Sequence, residues 1–256
     1  MRPQLGVNLQ GIMPATPPSL LHSSNPRSTR QPVGFASRTT GDGRRRTGEK
    51  RPEKDPAAGE LNPLERPTNK ITMSEWNSET AEWYAANYGD YPTNRLAVEQ
   101  LDIPDQSTIV DVGCGTGSAL RHAATRAANI ILIGIDPVPR MIDIAKDYSK
   151  ENETGYQIGF KVGSAEDLPL KDSIADIVFA FDSIDHWNNI QQGLNEIFRI
   201  LRPRGRFIIV KDLGVPGAKK ALNTLERTLV DTRFEVEKKE VIKTDEVCFA
   251  LWTCNT

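Results

Sequence analysis

Cysteine and histidine are scarce here: a chain of 256 residues holds three of each. Cys114, Cys248 and Cys254 show no C-x-x-C spacing, which argues against a disulfide framework or a zinc cluster and for a reducing compartment. His22, His122 and His186 are scattered without ligand spacing, so no metal site is expected. No apolar run approaches the roughly 20 residues that span a bilayer. No basic–apolar–cleavage pattern opens the sequence, so secretion is not expected either. Internal repeats are absent. Aromatic residues are nearly missing from the first 72 positions, where Phe35 is the one example.

That stretch is instead rich in Pro, Arg, Ser, Thr and Gly. Such a segment buries too little apolar surface to offset the entropy of ordering it, so residues 1–72 are expected to be a disordered extension. Residues 73–256 suffice for one sizeable α/β core. Charge divides at the same place, about +6 before residue 73 and about −8 after it. An acidic folded part argues against nucleic-acid binding, which needs a basic footprint. The Arg44-Arg45-Arg46 cluster reads as part of a solvated basic tail. The expected location is the cytoplasm. Two further readings stay open: the Arg- and Ser-containing extension resembles an organelle transit peptide in composition, or the protein starts at Met73.

The most informative run is Asp111-Val112-Gly113-Cys114-Gly115-Thr116-Gly117. It follows an apolar, β-branched stretch and precedes a helix expected over 118–128. The order is strand, tight glycine turn, helix start, in which glycines permit positive φ and close approach of a ligand. Asp136 closes the apolar run 130–135, about twenty residues further on, as a second strand of a βαβ unit would. It suits ribose hydroxyls, or the N-cap of a helix starting near Pro137. A third apolar segment, 156–162, leads into Gly163-Ser164-Ala165-Glu166-Asp167-Leu168-Pro169-Leu170.

Gly113-x-Gly115-x-Gly117 behind an acidic residue differs from the dinucleotide pattern G-x-G-x-x-G. It resembles motif I of the class I methyltransferases that use S-adenosylmethionine (SAM). The resemblance continues through Ser164–Glu166 and the helix, Pro-Gly turn and strand of Glu196–Val210, covering about residues 75–256. Its nearest flavour is the small-molecule branch that includes quinone-biosynthesis C-methyltransferases. It departs at Ser164, where Asp is common, and at Arg204, where glycine is frequent. It implies an α/β, Rossmann-like, seven-stranded, mostly parallel sheet with helices on both faces and an antiparallel edge hairpin. It implies SAM held by Asp111, Gly113, Cys114, Gly115, Gly117, Asp136, Pro137, Ser164, Ala165, Glu166 and Phe181. A carboxylate at the strand end suits the cofactor's ammonium and would repel a diphosphate.

The loop after the fourth strand, Phe181-Asp182-Ser183-Ile184-Asp185-His186-Trp187, faces the methyl group in that family. Asp182 and His186 are the candidate acid–base residues, with His186 as structural packing the alternative. Trp76, Trp83, Tyr84, Tyr88 and Tyr91 suggest an aromatic lid over a flat acceptor, or plain packing, with Trp83 and Tyr84 dividing core from pocket. The expected function is methyl transfer to a small molecule, at O, C or S rather than N, since no Asn-Pro-Pro-Tyr signature occurs. A SAM-binding sensor or scaffold without turnover is the alternative. A nicotinamide oxidoreductase is disfavoured by the glycine spacing and the missing Tyr-x-x-x-Lys pair.

Overall fold

The computed structural model describes residues 76–150, 157–215 and 218–256. The extension expected over residues 1–72 lies outside the described residues. Among the described residues seven strands form one sheet: β1 (Thr108–Val112), β2 (Ile131–Asp136), β3 (Ile158–Val162), β4 (Ala175–Phe181), β5 (Leu201–Asp212), β6 (Glu235–Lys243) and β7 (Cys248–Asn255). Their order is β3-β2-β1-β4-β5-β7-β6. The first five pair in parallel, and β7 runs antiparallel to both β5 and β6. The α/β sheet with an antiparallel edge is therefore as expected. The order reverses beside β1, which makes the carboxyl end of that strand the switch point where a ligand crevice forms.

Among the described residues six α-helices accompany the sheet: α1 (Ser78–Tyr88), α2 (Pro92–Glu99), α3 (Ser118–Ala123), α4 (Pro139–Lys150), α5 (Ile190–Ile200) and α6 (Ala218–Val230). Alternation along the buried strands sends side chains to two faces. Ile109, Leu132, Ile177, Phe179 and Ile208 meet Val98 of α2 and Leu120 of α3 on one face. Val110, Ile135, Val178, Phe207 and Ile209 meet Leu194 and Ile197 of α5 and Leu225 of α6 on the other. Strand β1 is buried throughout, as a central parallel strand must be. Among the described residues no helix is long and apolar enough to cross a membrane.

Three local expectations are corrected. Helix α3 stops at Ala123 rather than near residue 128. The residues beyond it hydrogen-bond to the loop before β1 instead, through Ala128 N–H to Asp105 (2.7 Å) and Gln106 N–H to the Ala128 carbonyl (2.9 Å). The Pro203-Arg204-Gly205 turn lies within β5 as an irregularity: Ala175 pairs with Leu201, but Ile177 pairs with Arg206. Arg204 takes φ +67° there, a left-handed conformation that suits glycine better than a residue with a side chain. Helix α4 begins at Pro139, so Asp136 is not its N-cap.

Candidate active site

The glycine turn is built as its composition demands. Gly113, Gly115 and Gly117 have φ of +76°, +52° and +77°. The amides of Gly113 and Cys114 both donate to the Ile135 carbonyl, at 2.8 and 3.0 Å, which ties the turn to β2. The three positions differ in what surrounds them. A Cβ on Gly113 would lie 2.4 Å from Ser183 Cβ, and one on Gly117 would lie 2.8 Å from the Phe160 ring. At Gly115 the nearest atom would be a Tyr84 ring carbon at 3.7 Å. Two of the glycines permit protein packing, and the third leaves room for a methyl group in ordinary contact with the Tyr84 ring.

Two carboxylates flank that space. Asp111, at the end of β1, is buried, and its Oδ1 has no hydrogen-bond partner. Burial, reinforced by Asp136, raises its pKa to about 8. Asp136 accepts the Gly115 amide at 3.1 Å through Oδ2 and the Val138 amide at 2.9 Å through Oδ1. Burial raises its pKa to about 6 against the pull of those two bonds. A buried acceptor without a donor is unfavourable by roughly 1–3 kcal/mol. The pair is therefore arranged for a ligand that brings donors and positive charge.

The segment after β3 lies against β2, with the Gly163 amide donating to the Asp136 carbonyl at 3.1 Å. Ser164 bridges to Asp167, and Ala165 is buried. Glu166 is already engaged: its Oε1 accepts the Asn189 amide at 3.0 Å, at the start of α5. Arg199 of α5 donates to the Leu168 and Leu170 carbonyls and ion-pairs with Glu196 and Asp172, which bolts this loop in place. Pro137 borders a surface groove shared with Trp76, Ser78 and Arg140, beside Asp136. Cys114 is a buried thiol held well above its ordinary pKa by burial, and its Sγ packs against Gly134. Phe181 stacks on Phe179 at 4.8 Å and is part of the core.

The loop after β4 approaches from the other side. Ser183 donates to the Val112 carbonyl at 2.6 Å and so sits beneath Gly113. Residues Ile184–His186 form one 3-10 turn. The His186 ring meets Trp76 edge-on at 6.1 Å, and Trp76 meets Tyr84 edge-on at 5.5 Å. Tyr84 faces the carboxylates; burial, then Asp182 and Asp136, push its phenol well above the usual range. Trp83 is exposed on the far side against Tyr88. The core face of α1 is Ala81 and Ala85, and Tyr84 packs against the same cluster while Trp83 does not. Thr116 donates to the Gly89 carbonyl at 2.6 Å and Arg121 pairs with Asp90, joining this aromatic cover to the glycine turn.

Asp182 is less available than its sequence position suggests. Its Oδ1 accepts the Asp212 amide at 2.9 Å and lies 3.2 Å from Lys211 Nζ. Lys211, which pairs with Asp182 here, was not singled out in the sequence. The signal for Lys211 was a lysine ending the apolar run of β5, at a position whose neighbours are all buried.

A family model described as a methyltransferase domain matches residues 110–209. An O-methyltransferase of Aspergillus nomiae is 33% identical over 121 residues, 46% of this chain and 53% of that protein. The ubiquinone/menaquinone biosynthesis C-methyltransferase UbiE of Geotalea daltonii is 30% identical over 123 residues, 48% of this chain and 52% of that protein. The chain thus spans about half the length of these curated relatives. A crystal structure of a SAM-dependent methyltransferase from Aquifex aeolicus shares the fold, with a TM-score of 0.58 at 16% identity over 71% of this chain and all of that one. The cofactor of this domain class is SAM. The unpartnered Asp111 oxygen, the Asp136 carboxylate beside it and the uncrowded Gly115 fit it.

Proposed function

Because this chain carries a class I methyltransferase domain, we propose that it transfers a methyl group from SAM to a small molecule. The observation that carries the reading is the buried Asp111 carboxylate, whose Oδ1 has no hydrogen-bond partner, beside a glycine turn that is uncrowded at Gly115. Asp111 would bind the cofactor's ammonium and Asp136 its ribose hydroxyls. The Gly115 backbone would allow close approach, with Ser164 and Ala165 at the adenine edge. When bound, SAM supplies a methyl group on a sulfonium, an already good leaving group. The protein then has three tasks: alignment, exclusion of water and acceptance of the acceptor's proton.

Trp76 and Tyr84 exclude water over the crevice and give it aromatic walls suited to a flat, largely apolar acceptor. His186, beside Trp76, is the proposed proton acceptor. Asp182 is withdrawn from that role because its Oδ1 is occupied by Lys211 and the Asp212 amide. Oxygen, carbon or sulfur remains the proposed acceptor atom. A reducing compartment such as the cytoplasm and the absence of a nucleic-acid partner belong to the same proposal, on cysteine usage and acidic charge.

Titration calorimetry of the full chain with SAM, S-adenosylhomocysteine (SAH) and NADH tests cofactor choice. The expected result is micromolar binding of SAM and SAH, on the scale of about −8 kcal/mol. Release of SAH from SAM over metabolite extracts tests turnover. Stronger binding of NADH would overturn the cofactor assignment. Cofactor binding without turnover on any extract would favour a sensor or scaffold.

A further inference from the structure

Lys211 is an anomaly in β5. Ile209, Val210 and Asp212 around it are all buried, and its own side chain is 12% exposed. The ammonium lies 3.2 Å from Asp182 Oδ1 and 3.3 Å from each oxygen of Asp185. Ile184, Leu222 and Leu225 share the small cavity around this cluster. Asp182 and Asp185 are 29% and 24% exposed, so water and salt screen the charges only in part. Lys211 is held protonated: burial opposes this, but Asp182 and Asp185 together outweigh it. An amine so held does not act as a base.

What the cluster does follows from the elements it joins. Asp182, the residue that follows β4, takes φ +52°, a left-handed conformation that a side chain disfavours. The 3-10 turn after it is short and self-limited, with backbone bonds from His186 to Ser183 and from Trp187 to Ile184. Asp185 is the middle residue of that turn and His186 the next. Without the ammonium, two carboxylates three residues apart would repel each other in a poorly solvated place. Resting on the methyl-transfer reading above, we propose that Lys211 is the positioning residue of the acceptor loop: by gripping Asp182 and Asp185 together, it fixes the turn that presents His186 to Trp76.

The test uses the full-length protein and two substitutions. Lys211→Met removes the grip. Asp185→Asn cuts only its second arm and leaves the Lys211–Asp182 pair, which keeps a folded variant in hand. Three quantities are measured: SAH affinity, the His186 imidazole proton resonances, and SAH release over an active metabolite extract. His186 is assigned by its disappearance in His186→Gln. In the wild type the Trp76 ring displaces these resonances. Both variants should bind SAH within about twofold of wild type. Both should lose the ring-current displacement and at least about tenfold in turnover, with kcat falling more than KM rises. A folded Asp185→Asn protein with unmoved His186 resonances would overturn the proposal, as would a folded Lys211→Met protein with wild-type turnover. Failure of the wild type to bind SAH would instead overturn the methyl-transfer reading itself.

Discussion

Asp136 reaches back across the sheet to Gly115: the carboxylate that ends β2 accepts, at 3.1 Å, the central amide of the turn that ends β1. The same carboxylate accepts the Val138 amide at 2.9 Å. One side chain thus sets both the glycine turn and the entry to α4 before any ligand arrives. Asp136→Ala should therefore do two things. It should cost about 1–3 kcal/mol of stability, as buried amides lose their acceptor, and a similar amount of SAH affinity. Chemical denaturation and calorimetry check both. Unchanged stability would show that water replaces the carboxylate.

Asp111 makes binding and stability respond to pH in opposite directions. Its pKa is about 8 in the fold against 3.8 for the free side chain, and that of Asp136 is about 6. The unfolded chain releases these protons near pH 4, while the folded one keeps them until pH 6 and 8. Stability of the ligand-free protein is therefore greatest below pH 4 with respect to these groups and falls as pH rises to about 8. An ammonium ligand favours the charged carboxylate, so SAH affinity should rise from pH 5.5 towards pH 8, with proton release on binding. Asp111→Asn should flatten both slopes, bind SAH more weakly and melt higher than wild type at pH 8. Calorimetry in buffers of different ionisation enthalpy measures the protons directly.

Two glycines two residues apart should fail differently. At Gly113 a methyl group would collide with Ser183 Cβ at 2.4 Å, and at Gly115 it would meet nothing nearer than 3.7 Å. Both positions have positive φ, which a side chain opposes by about 1–2 kcal/mol. Gly113→Ala should lose stability well beyond that strain. Gly115→Ala should lose little more than the strain but bind SAH at least about tenfold more weakly. Equal loss of affinity with equal loss of stability at both positions would deny that the ligand lies at Gly115.

Arg204 offers a stabilising change remote from the crevice. It stands at φ +67° in the irregular part of β5. Arg204→Gly should relieve the left-handed strain, in part offset by greater freedom of the unfolded chain, and gain about 0.5–1 kcal/mol. The midpoint of urea unfolding should rise while SAH affinity stays the same. A fall in the midpoint would mean that the arginine side chain outweighs the backbone term.

His186 carries the proposed proton transfer. His186→Ala should lower turnover by about a hundredfold while sparing SAH binding, the usual loss for a general base. His186→Gln, which still forms hydrogen bonds, should retain more activity if the ring orients the acceptor rather than taking its proton. Loss of folding without loss of turnover per folded molecule would reduce His186 to a packing partner of Trp76.

Some of this was written in the one-dimensional pattern. The βα alternation, the glycine turn and the two strand-end aspartates are local signals: apolar period, φ requirement and charge at a fixed offset. They were sufficient for the positive φ of all three glycines and the placing of Asp111 and Asp136 at the end of one sheet, while the seven-strand count came from the family resemblance. Which glycine borders the ligand was not legible, because that depends on Ser183 and Phe160 arriving from distant segments. Glu166 and Asp182 looked available in the sequence, yet Asn189 and Lys211 occupy them through contacts across 23 and 29 residues of chain. Helix α3 lost its predicted last turn to hydrogen bonds with the loop before β1. The sequence by itself determined where backbone and charge must take unusual values, since those demands are paid residue by residue. Only the tertiary structure decided which of those charges are already partnered, because a hydrogen-bond partner is chosen by proximity in space and leaves no mark at any fixed spacing along the chain.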